Sequence, residues 1–549
     1  MDHFDVIFVL PYPFSDHPCF PEGILKKALE LNGFSVGILE TPRWQRSSSF
    51  GLLGRPRLFF AIVSGPVDSI VLNYTSSRKR RMEDLYQFGG KGFFKGAPSS
   101  IGSKIRPDRT ALVFANRLRE EFKDVPIVIG GLEASLRLFA HYDFQEDRVR
   151  RSILLDSRAD LAVTGMGEKQ IVRIAQALEQ GVSAREIEIA GTARLAPDPP
   201  PQEGFMRLPS LESISEDALK LMESQLMVER AVLQDKGICQ EQNGRWVIAQ
   251  KAEDYSSSDL DWIYGLNYTR AHRAGKSLSP ALQMNLFSIT SHRGCCGGCA
   301  FCSIATHEGK QIVSRSPESI LQEVQTLTRH PAWKGYISDI GGASAEMYGM
   351  DCRQKGCEKS SCLHPEPCKN LSSLSPFLEL LRQCRKVPGV KKVFVSSGVR
   401  FDLFLQHPEL LEEIMVHHAG AFLRIAPEHT EDEVLYLMKK PSFETLEQFI
   451  RLFQFINRGL RRKIQLAPYL IVGHPGERPD HVASMAKKLK DLGFSTADVQ
   501  VFTPSPGTLS TAMFYSCVSP TFAPIEVEKN VQALIRRKNL LADRTTILP

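Results

Sequence analysis

The sequence predicts an α/β protein in which an amino-terminal doubly wound sheet precedes a partial, TIM-like βα barrel of six strands. Two observations support this fold class. Apolar strand-like runs alternate with amphipathic helical stretches, and a proline-rich break, APDPPPQEG at 196–204, interrupts the alternation. A chain of 549 residues is long enough for two or three domains. We expect a doubly wound domain over 1–200, a linker or mixed region over 201–283, a barrel over 284–520 and a helical tail over 521–549.

The amino-terminal half is expected to contain five strands, each a short apolar run. A helix over 21–34 follows the first strand, because its apolar residues recur at helical spacing and Gly33 lies near its end. Strands that alternate with helices form parallel sheets. The predicted strands are DVIFVL (5–10), FSVGILE (34–40), DSIVLN (68–73), VPIVIGG (125–131) and ADLAVTG (159–165).

The carboxyl-terminal half repeats the alternation after a mixed region that holds a helical stretch over 213–235 and a hairpin ending in RWVIAQK. In βα barrels the chemistry lies in the loops at the carboxyl ends of the strands, and every unusual motif of this half lies at such an end. The predicted strands are MNLFSITSHR (284–293), GYISDIGGA (335–343), KKVFVSS (391–397), GAFLRIAPE (420–428), KIQLAPYLIVG (463–473) and DVQVFTPSP (498–506).

Composition indicates a soluble cytoplasmic protein. Apolar residues make up 42% and charged residues 24%, and no apolar run approaches the roughly 20 residues of a membrane-spanning helix. The first residues place acidic side chains where a secretory signal would place basic ones. The net charge of +6 permits contact with a phosphorylated partner without indicating one.

Nine residues, GCCGGCAFC at 294–302, contain four of the twelve cysteines. Clustered cysteines in a reducing cytosol indicate metal or redox chemistry rather than disulfides. Iron–sulfur clusters commonly take four thiolates, so the three thiolates of Cys295, Cys299 and Cys302 would leave one iron open. A structural zinc site is the alternative, but its signature is a pair of C-x-x-C motifs, which this three-then-two spacing fits poorly.

A second group of four cysteines lies in DCRQKGCEKSSCLHPEPCKNL (351–371), a polar insertion at the mouth of the predicted barrel. Four thiols in such a loop have little structural purpose without a metal. An auxiliary iron–sulfur cluster is favoured over a structural zinc with His364 as a substitute ligand, and unliganded thiols are the third interpretation. The four cysteines are Cys352, Cys357, Cys362 and Cys368.

The spacing of Cys295, Cys299, Phe301 and Cys302 resembles the signature of the radical S-adenosylmethionine (SAM) enzymes. The resemblance implies that the three cysteines hold a 4Fe–4S cluster whose open iron binds SAM, with Phe301 near the adenine. It also implies reductive cleavage of SAM to a 5′-deoxyadenosyl radical, which abstracts hydrogen from a substrate. It assigns no ligand role to Cys296 and no catalytic residue beyond the cluster ligands.

Two strand-end motifs extend the resemblance. Gly341 and Gly342 match the Gly-Gly-Glu motif whose backbone meets the methionine amino group, although Ala343 stands in the place of the glutamate. Ser397 and Arg400 stand where that family often contacts the ribose and the carboxylate, and an arginine fork suits a carboxylate.

The last cofactor motif is YLIVGHPGE (469–477), in which Gly473 resembles the glycine motif that lines the adenine. Together with RIAPEHTEDE (424–433) and TPSP (503–506), it resembles the YgiQ-type branch of the radical SAM superfamily over most of the chain. The resemblance implies a flavodoxin-like or ferredoxin-like electron donor. It does not identify the substrate.

The amino-terminal half resembles the cobalamin-binding-like, Rossmannoid domain that precedes many radical SAM barrels, on IVIGGLEASL (127–136) and ADLAVTGMGE (159–168). The motif D-x-H-x-x-G, by which some such domains coordinate cobalt, is not matched, since His17 directly follows Asp16. Cobalamin therefore stays open as a cofactor but is not favoured.

Two other functions stay open. SSRKRR (76–81) and FGGKGFFKG (88–96) mix basic and aromatic residues, a pattern compatible with RNA and more often found in solvated loops. A radical SAM enzyme that transfers methyl or methylthio groups to tRNA is the first alternative. A non-catalytic, metal-binding regulatory protein with structural cysteine sites is the second.

Overall fold

A computed structural model describes residues 3–97, 100–272, 278–352, 357–494 and 497–545. The chain divides into two compact units, of which the first takes 1–254 and 266–286 and the second 255–265 and 287–549. Both units are built from strands and helices, which confirms the predicted α/β class. Parts of the predicted linker, cysteine insertion and tail lie outside the described residues.

The first unit is organised around a mixed nine-stranded sheet in the order β10-β11-β12-β9-β8-β5-β4-β1-β3, with the short pairs β13-β2 and β6-β7 beside it. Its strands are β1 Val6–Leu10, β2 Ser15–Asp16, β3 Val36–Glu40, β4 Phe59–Val63, β5 Ile127–Gly130, β6 His141–Asp143, β7 Arg148–Arg150, β8 Leu161–Val163, β9 Thr192–Ala196, β10 Phe205–Arg207, β11 Gly237–Gln242, β12 Arg245–Ala249 and β13 Ala271–His272.

Five neighbouring strands, β3, β1, β4, β5 and β8, run parallel, as a doubly wound sheet requires. In chain order, β3 is added on one side of β1, and β4, β5 and β8 are added on the other side. This reversal of strand order between β1 and β4 creates a crevice at the carboxyl ends of the strands. The predicted hairpin is confirmed as β11 and β12, which extend the sheet with antiparallel pairs.

One strand predicted for the first unit is wrong, and one strand was not predicted. DSIVLN (68–73) forms the helix Ser69–Asn73, because the Asp68 carboxylate caps it by accepting the N–H of Ile70 at 2.8 Å. The third parallel strand is instead β4, whose sequence FFAIV is entirely buried between β1 and β5. Its continuous apolar run is of the kind that indicates a buried strand, and it is missing from the predicted set.

The helices of the first unit join these strands, and the helical stretch predicted over 213–235 is split into two. The α-helices are Pro21–Leu31, Ser69–Asn73, Thr110–Glu121, Leu132–Leu136, Ile153–Ser157, Glu168–Glu179, Leu211–Glu216, Leu219–Leu233 and Pro280–Asn285, and the 3₁₀ turns are Ser47–Phe50, Phe88–Gly90 and Ile101–Ser103.

The second unit contains all six predicted barrel strands. Parallel pairs join β14 to β18, β17 to β19, and β20 to β21 to β22, and a parallel bridge joins Val399 to Ile425. The strands are β14 Ser288–Thr290, β15 His292–Arg293, β16 Val313–Ser314, β17 Tyr336–Ile337, β18 Asp339–Gly341, β19 Lys392–Val393, β20 Phe422–Glu428, β21 Gln465–Val472 and β22 Asp498–Val501.

Helices of the second unit pack on these strands around a core that includes the fully buried Phe377, Phe404 and Phe449. Among the described residues, no helix is both long and apolar enough to span a bilayer. The α-helices are Ser257–Tyr264, Ile304–Glu308, Pro317–Thr328, Ser375–Lys386, Phe401–Phe404, Pro408–Glu413, Asp432–Met438, Phe443–Gly459, Pro479–Asp491, Leu509–Ser516 and Val531–Thr545, with a 3₁₀ turn at Ala345–Met347 and a π-helical turn at Ile414–His418.

Candidate iron–sulfur site

The cysteine loop follows β14 and β15 and is fixed by backbone hydrogen bonds to other segments of the second unit. The N–H of Cys295 donates to the carbonyl of Gly309 at 3.2 Å, and the N–H of Ala300 donates to Met438 at 3.0 Å. Gly298 has a φ of +59°, and a side chain there would clash with the carbonyl oxygen of Ser360. The glycine is therefore required both by its conformation and by the close approach of the insertion.

The three predicted ligand thiols lie near one another. A Cβ built on Gly297 would lie 3.4 Å from the Cys295 Sγ and 3.8 Å from the Cys299 Sγ, so both sulfurs border the space that this glycine leaves free. Burial, and then the neighbouring Cys299, raise the pKa of Cys295 and raise the pKa of Cys302 to about 12. A bound cation would remove these protons, because thiolates rather than thiols are metal ligands.

The arrangement fits a cluster better than a single ion. Among the described residues, no three His, Cys, Asp or Glu side chains are placed to hold one metal ion. A 4Fe–4S cluster makes no such demand, since its thiolates bond different irons. The soft sulfur donors of the loop therefore fit an iron–sulfur cluster.

Arg400 reaches this loop from its position after β19. Its guanidinium binds the Asp402 carboxylate through Nε at 3.1 Å and Nη2 at 2.8 Å, and Nη1 donates to the Cys299 Sγ at 3.7 Å. The side chain is only 7% exposed although it is charged. Sequence reasoning found Arg400, but it missed the carboxylate partner two residues further on.

Glu346 is a second residue that sequence reasoning missed. It is fully buried in the 3₁₀ turn after β18, and its Oε1 accepts the backbone N–H of Arg400 at 2.7 Å and the Ser344 hydroxyl at 2.9 Å. Burial raises its pKa to about 7, and Oε2 has no hydrogen-bond partner. The family motif would place its glutamate at position 343, which is alanine here. The only sequence signal for Glu346 is that it is an acidic residue three positions further on.

The glycine pair after β18 allows close packing. A Cβ on Gly341 would lie 2.8 Å from the Ala345 Cα, and one on Gly342 would lie 2.6 Å from the His292 Nε2. Burial lowers the pKa of His292 to about 4, so its ring is neutral. Glycine is required at both positions by these neighbours.

Ser397 lies beside Asp339 of β18. The Ser397 hydroxyl and backbone N–H both donate to the Asp339 carboxylate, which also accepts the N–H of Ser396 at 2.8 Å. The hydroxyl hydrogen is therefore used within the protein, and the Ser397 oxygen keeps capacity to accept a hydrogen bond.

Phe301 and the loop after β21 are brought together by His474. The Phe301 ring makes an edge contact with His474 at 6.4 Å between centroids, and the His474 Nε2 lies 2.7 Å from the Ser510 hydroxyl. Gly473 has a φ of +77° and packs against Leu534, which leaves no room for a side chain. Burial lowers the pKa of His474 to about 3, so this ring is also neutral.

The cysteine insertion contacts the cysteine loop. The Cys362 N–H donates to the Cys296 carbonyl at 2.9 Å, and the Ser361 hydroxyl donates to Gly297 at 2.6 Å. The Cys362 thiol raises the pKa of Cys296, and the Cys296 thiol lowers that of Cys362 to about 6. Cys352 is exposed and Cys357 half-buried. The structure thus joins Cys362 to Cys296, and the described cysteines of the insertion form no group of three around one ion.

The crevice of the first unit is filled by the chain itself. A Cβ on Gly65, after β4, would lie 2.8 Å from the Tyr12 ring, which follows β1. Arg106 lies over the rings of Tyr12 and Tyr86 at 5.3 and 5.9 Å, and Asp84 binds Arg106 at 2.8 Å. These buried side chains occupy the point where a doubly wound sheet binds ligands. Cobalamin therefore stays open as a cofactor but is not favoured.

The comparisons with known proteins define the class. Residues 1–288 match the Radical SAM N-terminal family model, and residues 289–489 match the Radical SAM superfamily model. A radical SAM domain implies a 4Fe–4S cluster and SAM, in agreement with the predicted cofactors. The resemblance to the radical SAM enzymes found in the sequence is thereby confirmed.

The chain belongs to the UPF0313 family of radical SAM proteins. A UPF0313 protein from Methanocella arvoryzae is 40% identical over 98% of this chain and 91% of its own length. One from Geobacter sulfurreducens is also 40% identical, over 100% of this chain and 91% of its own length. Among solved structures, the radical SAM methyltransferase TsrM from Kitasatospora setae, with tryptophan substrate and a SAM analogue bound, covers 92% of this chain and 74% of its own. Its TM-score is 0.51 at 17% identity, a likeness in fold.

Proposed function

We propose that the chain is an enzyme that cleaves SAM reductively and uses the resulting 5′-deoxyadenosyl radical to abstract hydrogen from a substrate of unknown identity. The observation that carries the proposal is the cysteine loop, in which burial and the neighbouring Cys299 raise the pKa of Cys295 and of Cys302. The cluster and SAM supply the radical chemistry, while the protein binds, orients and shields them.

Each predicted cofactor residue has a task in this proposal. The three thiolates hold the cluster, and the glycines of the strand ends let the backbone approach SAM. Phe301 and Gly473 line the adenine, and Gly341 and Gly342 present backbone groups to the methionine amino group. Ser397 and Arg400 border the ribose and the carboxylate while staying bound to Asp339 and Asp402.

The reaction needs a one-electron donor, for which we propose a flavodoxin-like or ferredoxin-like protein of the cytoplasm. The insertion cysteines Cys352, Cys357, Cys362 and Cys368 are proposed to hold an auxiliary cluster or zinc, with ligands brought together when the metal binds. Iron, sulfide and zinc analysis of the purified chain distinguishes the two metals.

Anaerobic reconstitution tests the proposal. The chain is incubated with iron, sulfide and SAM under a strong reductant, and iron, sulfide and 5′-deoxyadenosine are measured. We expect about four irons per catalytic cluster and reductant-dependent 5′-deoxyadenosine. Cys299→Ala should lose both signals and Cys296→Ala should retain them. A wild-type chain with zinc but no labile sulfide, and no 5′-deoxyadenosine, would instead indicate the non-catalytic metal-binding protein.

One observation favours a second candidate, transfer of methyl or methylthio groups to tRNA. Residues 78–81 carry four consecutive basic side chains, all exposed. Phosphate contacts release counterions, so the logarithm of affinity for single-stranded RNA should fall by about 0.7 per contact per logarithmic unit of salt. A flat salt dependence, or an unchanged slope after Lys79→Ala and Arg80→Ala, would exclude this role for the segment.

A further inference from the structure

We propose that Arg400 is a positioning residue that hydrogen-bonds the Cys299 thiolate and raises the reduction potential of the cluster held by the loop. The inference rests on the proposed function, because it needs a cluster on Cys299. It adds a role on the cluster itself to the contact with the carboxylate of SAM proposed above.

The guanidinium is held in one orientation by two independent contacts. Asp402 accepts from Nε at 3.1 Å and from Nη2 at 2.8 Å, a bidentate pair that fixes the plane of the group. Glu346 fixes the backbone of the same residue by accepting the Arg400 N–H at 2.7 Å. All three residues are buried, with exposures of 7% for Arg400, 3% for Asp402 and 0% for Glu346.

The free edge of the guanidinium faces the loop. Nη1 lies 3.7 Å from the Cys299 Sγ and would lie 2.9 Å from a Cβ at position 297. Gly297 therefore leaves the space through which Arg400 reaches the sulfur. The bidentate pair with Asp402 uses the opposite edge, so Arg400 reaches Cys299 without releasing its partner.

The expected effect follows from charge. Reduction adds an electron to the cluster, and a fixed cation that donates to a ligand sulfur stabilises the more negative state. The interaction is strong because the site is buried and water does not screen it.

The midpoint potential of the reconstituted chain, measured by a reductive titration followed by electron paramagnetic resonance without SAM, tests the inference. Arg400→Gln should give a more negative midpoint at unchanged iron and sulfide content. Arg400→Lys and Asp402→Asn should shift it in the same direction by less, since each keeps a cation but loses the fixed geometry. Arg382→Gln is the control, because Arg382 lies on the helix Ser375–Lys386 and pairs with Glu413 rather than with a residue of the cysteine loop.

An unchanged midpoint in cluster-loaded Arg400→Gln would overturn the inference. Should that variant fail to hold a cluster, unchanged midpoints in both Arg400→Lys and Asp402→Asn would overturn it equally. A residue that contacts only the carboxylate of SAM would alter SAM binding and leave the SAM-free midpoint unchanged. A wild-type chain that holds no cluster would refute the proposed function, a result distinct from these.

Discussion

The backbone N–H of Cys362 donates to the carbonyl oxygen of Cys296 at 2.9 Å, and each thiol shifts the pKa of the other. This contact joins the cysteine insertion to the loop that carries the predicted cluster ligands. Cys296 is 4% exposed and Cys362 is 8% exposed. Cys296 therefore has a structural partner, although the radical SAM signature gives it no ligand role.

Replacing Cys296 with alanine should separate structure from ligation. The variant should keep its iron and sulfide, because Cys295, Cys299 and Cys302 are untouched. It should lose about 1–2 kcal/mol of unfolding free energy, since a buried thiol pair is broken. Chemical denaturation and iron analysis measure the two effects, and Cys299→Ala is the matched variant that should lose iron. Loss of the cluster in Cys296→Ala would make Cys296 a ligand.

Replacing Gly297 with alanine should weaken cluster binding. The new Cβ would lie 2.9 Å from the Arg400 Nη1 and 3.4 Å from the Cys295 Sγ, so one of them must move. A rearrangement that costs about 1.4 kcal/mol lowers the affinity for the cluster about tenfold.

Gly420→Ala is the control for this experiment, since a Cβ at Gly420 meets nothing within 4 Å. Iron retention is measured for both variants against an iron chelator. Equal retention in Gly297→Ala and Gly420→Ala would show that the space beside Gly297 is not needed for the cluster.

The barrel strands could be predicted from sequence, and the cysteines proposed as ligands could be selected from it, because both are local signals. Each barrel strand is an apolar run, and the ligand spacing lies within eight residues. Glu346 and Asp402 could not be predicted, since their importance depends on contacts with Arg400 that only the folded chain creates. The apolar run at 68–73 predicts a strand, but residues 69–73 form a helix, because its N-cap outweighs the β-propensity of the run.

The first unit should lose stability as pH rises through the titration of Glu22. This residue is fully buried, accepts the Tyr12 hydroxyl at 3.0 Å, and has a pKa that burial raises from 4.5 to about 8. A raised carboxyl pKa means that the folded state prefers the proton. Its contribution is fully present below pH 4.5 and is lost as pH approaches 8.

Glu22→Gln should remove this dependence, because an amide stays neutral. At pH 9 the variant should be more stable than the wild type by on the order of 2 kcal/mol, and the difference should vanish near pH 4. Denaturant unfolding at both pH values measures it, with Glu203→Gln, at an exposed position, as the control. A pH-independent difference between Glu22→Gln and the wild type would place the titration elsewhere.

The crevice of the first unit predicts that the chain does not retain a corrinoid. The Tyr12 ring lies against Gly65 where the strand order reverses, and Arg106 lies over it in a buried pair with Asp84. Displacing Arg106 would leave the Asp84 carboxylate buried without its partner, which costs about 3–5 kcal/mol. Incubation of the full chain with hydroxocobalamin, followed by desalting, should therefore leave no corrin absorbance with the protein. Retention of about one corrin per chain would contradict this prediction and show that these side chains move aside. In that case Tyr12→Phe, which keeps the aromatic ring, should retain as much corrin as the wild type.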